Sequence, residues 1–135
     1  MVTAVKDLKG ATETLVAKLK EQGIGDGDKL LAAAASPAQR KELAAACGCT
    51  PREILELANR ADLARIKGVA GVYSDLLEQA GVDTVKELAN RRPDNLHAKI
   101  LETNASAKLT ERPPTAPMVE SWVAQAKELP RALTY

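Results

Sequence analysis

The chain is poor in aromatic residues, and this scarcity is the first constraint on its fold. Its 135 residues include no Phe, one Trp and two Tyr. A hydrophobic core must therefore be filled by Leu, Val, Ile and Ala, a composition that favours helices over strands. Single-stranded nucleic acid is also a poor match, because stacked bases need aromatic side chains as platforms.

Metal ligands and thiols are equally scarce. The chain has one histidine, His97, and two cysteines, Cys47 and Cys49, which flank Gly48. These residues are too few for a zinc site with four soft ligands, so we predict no metal and no cofactor. The thiols are explained more simply as small apolar groups at the end of a helix that Gly48 caps.

Long apolar runs and an excess of charge are also missing. No stretch approaches the ~18 apolar residues of a membrane span, and the N-terminal residues lack a secretory pattern. We therefore expect a cytoplasmic protein without a membrane partner. Nineteen basic and eighteen acidic residues leave a net charge of +1. This charge gives no global positive field for attracting nucleic acid, so any basic surface must be local.

Catalytic constellations are likewise hard to find. A nucleophile needs an adjacent base and a third group that orients the base. His97 stands near Asn95 and Lys99, with no serine or cysteine close in sequence. We therefore predict a protein that is not an enzyme and has no catalytic residue.

What the chain does contain is an internal repeat. Residues 8–31 and 66–89 align without a gap at an offset of 58, and each copy reads as an apolar residue, a Lys-Gly turn, a helix, a glycine corner and a second helix. We predict one domain, 1–135, with repeats over about 5–62 and 63–129 and a tail at 130–135. The identical pairs of the two copies are Lys9/Lys67, Gly10/Gly68, Leu19/Leu77, Gly23/Gly81 and Leu30/Leu88.

Helix boundaries are marked by capping residues, prolines and glycines. Ser36 and Thr50 each precede a proline, which predicts helices over 37–47 and about 51–61. Apolar spacing predicts another helix over 13–21, and Gly23 and Gly81 are expected as left-handed corners. The remaining signals are a capping box at Thr84 and Glu87, an N-cap at Asp94, a proline-rich loop over 108–117 and a last helix before Pro130.

These signals together predict an all-α fold of about eight helices, in two pseudo-symmetric halves around one core. The helix after Thr50 corresponds to the last helix at an offset of 65 residues. Because no helix of comparable length precedes Gly10, we expect the last helix to fold back onto the first half. Its Trp122 would then pack near Leu15 and Leu19.

The second Lys-Gly turn carries a resemblance to a known motif. Residues 63–71, followed by the helix that starts near Tyr73, resemble a helix-hairpin-helix, and residues 8–12 with Val16 are a weaker version. Over nearly the whole chain the sequence resembles a family of tandem helix-hairpin-helix proteins catalogued as domain of unknown function 4332. The residues that carry this resemblance are 59–63, 80–88 and 126–131. It implies an all-helical fold and no established activity.

The resemblance also implies a binding site for nucleic-acid phosphates. Hairpin glycines let a phosphate approach the backbone, the next helix directs its positive end there, and a lysine or arginine adds charge. It predicts weak, sequence-independent binding of double-stranded DNA through the second hairpin. The candidate residues are Arg65, Lys67, Gly68, Val69, Ala70 and Gly71, with Lys9, Gly10 and Thr12 as weaker candidates in the first hairpin.

Departures from the motif keep a second hypothesis open. Thr12 and Ala70 replace the second hairpin glycine, and a Cβ there hinders close approach of a phosphate. Glu13 already places a negative charge at the first helix start. A protein-interaction or scaffold domain with degenerate hairpins is therefore the alternative, and a small-molecule pocket between the halves is a third hypothesis to which no residue points.

Overall fold

Helices make up most of the part of the chain that the structure describes. This structure is a computed structural model, and it describes residues 3–8, 10–69 and 71–135. No β-strand occurs in these ranges, where extended pairing is limited to one antiparallel bridge between Ala4 and Asp26. The all-α prediction is confirmed. A short 3-10 helix, Val5–Asp7, precedes α1 (Glu13–Glu21), α2 (Gly27–Ala33), α3 (Pro37–Cys47), α4 (Pro51–Leu63), α5 (Val72–Gln79), α6 (Val85–Ala89), α7 (Pro93–Ala107) and α8 (Ala116–Glu128).

Most helices begin at a side chain that accepts a backbone N–H three residues ahead. Such a cap satisfies one of the N–H groups that a helix start leaves unpaired. The predicted starts of α3 and α4 are confirmed, and Ser36 with Gln39 forms a complete capping box. The capping residues are Thr12, Asp26, Ser36, Thr50, Thr84 and Thr115.

Two details of the predicted caps are wrong. Helix α7 begins at Pro93 with Arg92 as its N-cap, and Asp94 lies inside the first turn, where it pairs with the Arg92 guanidinium at 3.3 Å. Proline explains the shift, since its fixed φ suits the first helical position. At α6 the Glu87 carboxylate accepts the N–H of Asp83, at 3.4 Å, while Thr84 caps the helix as predicted.

The chain divides into two compact units. The first consists of residues 1–65 and 131–135, and the second is Ile66–Pro130. Helices α1 to α4 therefore belong to the first unit and α5 to α8 to the second. The first unit is discontinuous in sequence, because its last five residues follow the whole of the second unit.

The first unit is built around α4. Helix α4 packs against α2 and α3, and α1 packs against α3. The buried residues between them are aliphatic, with Leu19, Leu30 and Ile54 fully inaccessible to solvent. One member of this cluster comes from the C-terminus: Leu133, which lies in the segment that was predicted only as a tail.

The second unit is built around α8. Helix α8 packs against α6 and α7, and α5 packs against α7. Trp122 of α8 is buried, and its ring lies 5.6 Å from that of Tyr73. Trp122 belongs to the second unit, whereas Leu15 and Leu19, near which it was predicted, belong to the first, where Leu133 joins their buried cluster.

The glycine corners are alike in the two units. Gly23 has a φ of +80° and Gly81 a φ of +96°, as their predicted left-handed conformation requires. The residue after each corner donates its N–H back to a helix carbonyl, at 2.9 Å for Ile24 and 2.8 Å for Val82.

Helices α4 and α8 have 13 residues each. None of the described helices combines the length and the apolar character that crossing a membrane would take.

Candidate functional site

The two predicted hairpins, residues 8–12 and 66–71, match in one hydrogen bond and in the conformation of one glycine. In the first, Ala11 donates its N–H to the carbonyl of Leu8 at 3.1 Å; in the second, Val69 donates to Ile66 at 3.1 Å. The third residue of each turn is a glycine with positive φ, +94° at Gly10 and +92° at Gly68. This φ is the one that a type II turn needs and that other residues rarely adopt.

Helix α8 packs against one side of the second hairpin. The Gln125 side chain accepts the N–H of Lys67 at 2.8 Å and donates to the Lys67 carbonyl at 3.3 Å. A Cβ added to Gly68 would stand 3.1 Å from Nε1 of Trp122. The turn therefore has almost no room on its inner side, and its exposed groups face away from α8.

Helix α5 begins at the second hairpin without a side-chain cap. Its N-cap is Gly71, with φ of +52° and ψ of −122°, which has no side chain to accept a first-turn N–H. Gly68 and Gly71 are both exposed to solvent. The positive end of the α5 dipole consequently lies at an exposed glycine, and the Asp75 carboxylate in the first turn is the opposing charge.

The predicted cations of the second hairpin differ in what they contact. Lys67 is exposed, whereas the Arg65 guanidinium lies 2.9 Å from Asp62, with both side chains mostly buried. Val69 is buried, and its N–H is already bonded to Ile66. Ala70 lies outside the described residues. Of the predicted group, Lys67, Gly68 and Gly71 are therefore the residues whose exposed atoms a phosphate can reach.

The first hairpin presents a different helix start. Thr12 is the N-cap of α1, and its hydroxyl accepts the N–H of Leu15 at 3.1 Å. Glu13 is the next residue, in the first turn. Gly10 is exposed, and Lys9 lies outside the described residues. The hydroxyl and the carboxylate together take the place that a phosphate would occupy.

Sequence reasoning missed the groups that hold the second hairpin and the nearby loop. Gln125 was not singled out, because no local pattern marks its contact with Lys67, which lies 58 positions away. The hydroxyl of Tyr73, in the first turn of α5, donates to the carbonyl of Arg112 at 2.8 Å. This bond fixes the proline-rich loop beside the start of α5.

The other candidate groups have structural roles. Burial raises the pKa of the Cys47 and Cys49 thiols, so both are protonated at neutral pH and poor nucleophiles. Nε2 of His97 lies 3.0 Å from the carbonyl oxygen of Pro114, which holds the same loop. Within the described ranges no three His, Cys, Asp or Glu side chains converge as a metal site would require.

Comparison with known proteins identifies a family. The family described as Domain of unknown function (DUF4332) matches residues 9–129, a range that includes the eight described α-helices. The predicted family resemblance is confirmed. No curated protein and no solved structure matches the chain.

Proposed function

The chain belongs to the DUF4332 family, and we propose that it is a non-enzymatic module whose second hairpin binds the backbone of double-stranded DNA weakly and without sequence preference. The observation that carries the proposal is the start of α5. It is the exposed glycine Gly71, with no capping side chain, directly after a turn that displays Lys67.

A phosphate supplies what this helix start lacks. The dipole of α5 favours a negative charge at its exposed N-cap glycine, where the phosphate would lie. Glycine at positions 68 and 71 leaves the backbone accessible to a bulky anion. The ammonium of Lys67 adds a charge-assisted contact.

The same geometry limits the affinity. The N–H of Lys67 is bonded to Gln125, that of Val69 to Ile66, and the Arg65 guanidinium to Asp62. Few phosphate contacts remain, so the dissociation constant belongs at the weak end of the non-specific range, about 10⁻⁴ M, with a log–log salt slope of roughly −1 to −2.

Two features favour a duplex over the alternatives. The Tyr73 ring packs on Trp122 and is not displayed as a stacking platform for single-stranded bases. Among the described residues, the large hydrophobic side chains that are exposed are Leu101 and Tyr135, which are too few for the apolar centre of a typical protein interface. The scaffold hypothesis is therefore the alternative outcome of the test.

Fluorescence anisotropy with a labelled duplex tests the proposal. We expect the wild-type chain to bind at ~50 mM salt and to lose about 4- to 12-fold in affinity at ~200 mM, as one or two phosphate contacts require. Replacing Lys67 by Glu should weaken binding about fivefold or more, because it removes an attractive charge and adds a repulsive one.

Lys41→Glu is the matched control. Lys41 is an exposed residue of α3 in the first unit, and its replacement changes the net charge by the same amount. Binding should stay within about twofold of wild type if the contact is local to the second hairpin. An equal loss in both variants, or no binding at the lower salt concentration, would contradict the proposal and favour the scaffold role.

A further inference from the structure

The two cysteines of the chain lie on either side of the turn that ends α3. Cys47 is the last residue of α3 and is buried, Cys49 is partly exposed, and both thiols are free. Gly48 between them has the left-handed conformation, with φ of +69° and ψ of +32°. The N–H groups of Gly48 and Cys49 both donate to the carbonyl of Ala44. Two hydrogen bonds therefore fix the turn.

This turn keeps the two cysteines close together. A residue of helical curvature, of either hand, separates the Cα atoms on its two sides by about 5.5 Å, whereas an extended residue separates them by about 7 Å. The shorter separation lies within the range of about 4.4–6.8 Å that disulfides span. Cys47 belongs to the hydrophobic cluster of the first unit, and Cys49 packs against the same cluster. The two side chains therefore share one apolar environment.

The two thiols are also close enough to interact electrostatically. Burial is the main cause that raises the pKa of both thiols, and Cys47 raises the pKa of Cys49 further. Charged residues of neighbouring helices contribute as well: Lys18 lowers and Glu21 raises the pKa of Cys47, and Glu53 raises that of Cys49. Exchange with a disulfide is consequently slow at neutral pH and becomes faster as the pH rises.

We propose that Cys47 and Cys49 are a reversible dithiol–disulfide pair, a modification site that a low-molecular-weight disulfide such as glutathione disulfide oxidises. The partly exposed Cys49 thiolate attacks one sulfur of that disulfide, forms a mixed disulfide and releases one glutathione thiolate. The Cys47 thiolate then attacks the Cys49 sulfur, closes the bond between the two cysteines and releases the second glutathione thiolate. The two cysteine protons pass to the released thiolates, so the pair is oxidised and one glutathione disulfide is reduced.

The exposure of the two residues sets the order of these steps. Cys49 is the residue that a small molecule can reach, whereas Cys47 is 6% exposed and needs to meet only its neighbour two positions away. The closed ring contains a single intervening residue, Gly48, so its disulfide is strained and easily reduced again. Reversibility is therefore part of the proposal.

Mass spectrometry of the reduced full chain, incubated with glutathione disulfide at mildly alkaline pH, tests the proposal. After alkylation of the remaining thiols, the tryptic peptide 42–52 contains both cysteines. Closure of the ring should leave this peptide unalkylated and lower its mass by two hydrogen atoms, and dithiothreitol should restore both thiols. We expect no glutathione adduct to accumulate on the wild-type chain, because Cys47 displaces it.

Alanine variants separate the two roles. Cys47→Ala should stop at the mixed disulfide, with one glutathione on Cys49, whereas Cys49→Ala should be modified about fivefold more slowly or less, because Cys47 is buried. Circular dichroism checks the fold of each variant, and the wild-type peptide mass decides alone if a variant does not fold. A stable adduct on wild-type Cys49, a disulfide-linked dimer in place of the closed ring, or no reaction would overturn the proposal.

Discussion

The two hairpins of this chain share a turn but differ in how the next helix begins. The turns match in their hydrogen bond, 3.1 Å in each, and in the φ of their glycines, +94° and +92°. After the first turn the Thr12 hydroxyl caps α1; after the second, Gly71 leaves α5 without a side-chain cap. Similar turns are therefore followed by a helix start that a hydroxyl caps in the first hairpin and by one without a side-chain cap in the second.

The hairpins also differ in the packing beneath the turn glycine. A Cβ at Gly10 would meet no atom within 4 Å, whereas one at Gly68 would stand 3.1 Å from Trp122. Gln125 adds two hydrogen bonds to Lys67 on the same side. The second hairpin is thus held from one side and left accessible from the other, as a preformed binding loop would be.

Replacing Trp122 by Ala should lower the free energy of unfolding more than any other change to the packing beneath the second hairpin. Trp122 is fully buried, and truncation of such a residue costs about 3–5 kcal/mol through lost burial and the cavity that remains. Urea unfolding followed by circular dichroism measures the loss. Trp122→Leu, which introduces the residue type of Leu57 at the corresponding position of α4, should cost less. Equal losses for Ala and Leu would show that burial of this side chain does not support the second hairpin.

Replacing the turn glycines Gly10 and Gly68 by Ala should have the next largest effect on stability, and the two variants can be compared directly. Gly10→Ala should cost about 1–2 kcal/mol, the strain of a left-handed residue that has a Cβ. Gly68→Ala should cost about 2–3 kcal/mol, because the same strain is joined by the contact with Trp122. Fluorescence of the single Trp during urea unfolding reports on the second unit, and circular dichroism reports on both variants. A larger loss at Gly10 than at Gly68 would contradict the assigned difference.

Much of the fold could be predicted because its signals are local. Ser36 and Thr50 precede prolines that start α3 and α4, and the glycine corners at Gly23 and Gly81 are evident from their spacing in the repeat. The same local reasoning predicted that Glu13 places a negative charge at the helix start after the first hairpin, and Glu13 does lie in the first turn of α1. Asp94 was misplaced because two helix-start signals, an acid and a proline, stand next to each other.

The features that the sequence did not reveal depend on contacts between distant residues. Gln125 meets Lys67 across 58 positions, and Arg40 meets Thr134 across 94. No local pattern marks such pairs, nor does one mark the contribution of Leu133 to the buried cluster that contains Leu15. The commitment of Arg65 to Asp62 was missed for another reason: a salt bridge three residues apart is common on helix surfaces, and only the structure shows this one to be mostly buried.

Removing the Thr12 hydroxyl tests the cap that the second hairpin lacks. Thr12→Ala should destabilise the chain by about 1 kcal/mol, the usual cost of losing an N-cap side chain, since the N–H of Leu15 loses its acceptor. Thr14→Ala is the control, because Thr14 is an exposed residue of α1 and its replacement should change stability by less than about 0.5 kcal/mol. Thermal unfolding of both variants measures the difference. Equal stabilities would mean that the hydroxyl contributes nothing as a cap.

Replacing the acidic residue in the first turn of α5 or of α1 should have the smallest effect, a change in affinity for duplex DNA. If the proposed function holds, Asp75 repels the phosphate at the start of α5, so Asp75→Asn should raise duplex affinity about 2- to 5-fold, the equivalent of about 0.3–1 kcal/mol of charge–dipole energy. Glu13→Gln makes the same change of charge at α1, where Thr12 already satisfies the helix start, and should raise affinity by less. Anisotropy at ~50 mM salt, where phosphate contacts are strongest, measures both. Equal gains in the two variants would mean that affinity depends on net charge alone. A larger gain for Asp75→Asn is expected only if the phosphate binds at the start of α5, close to Asp75.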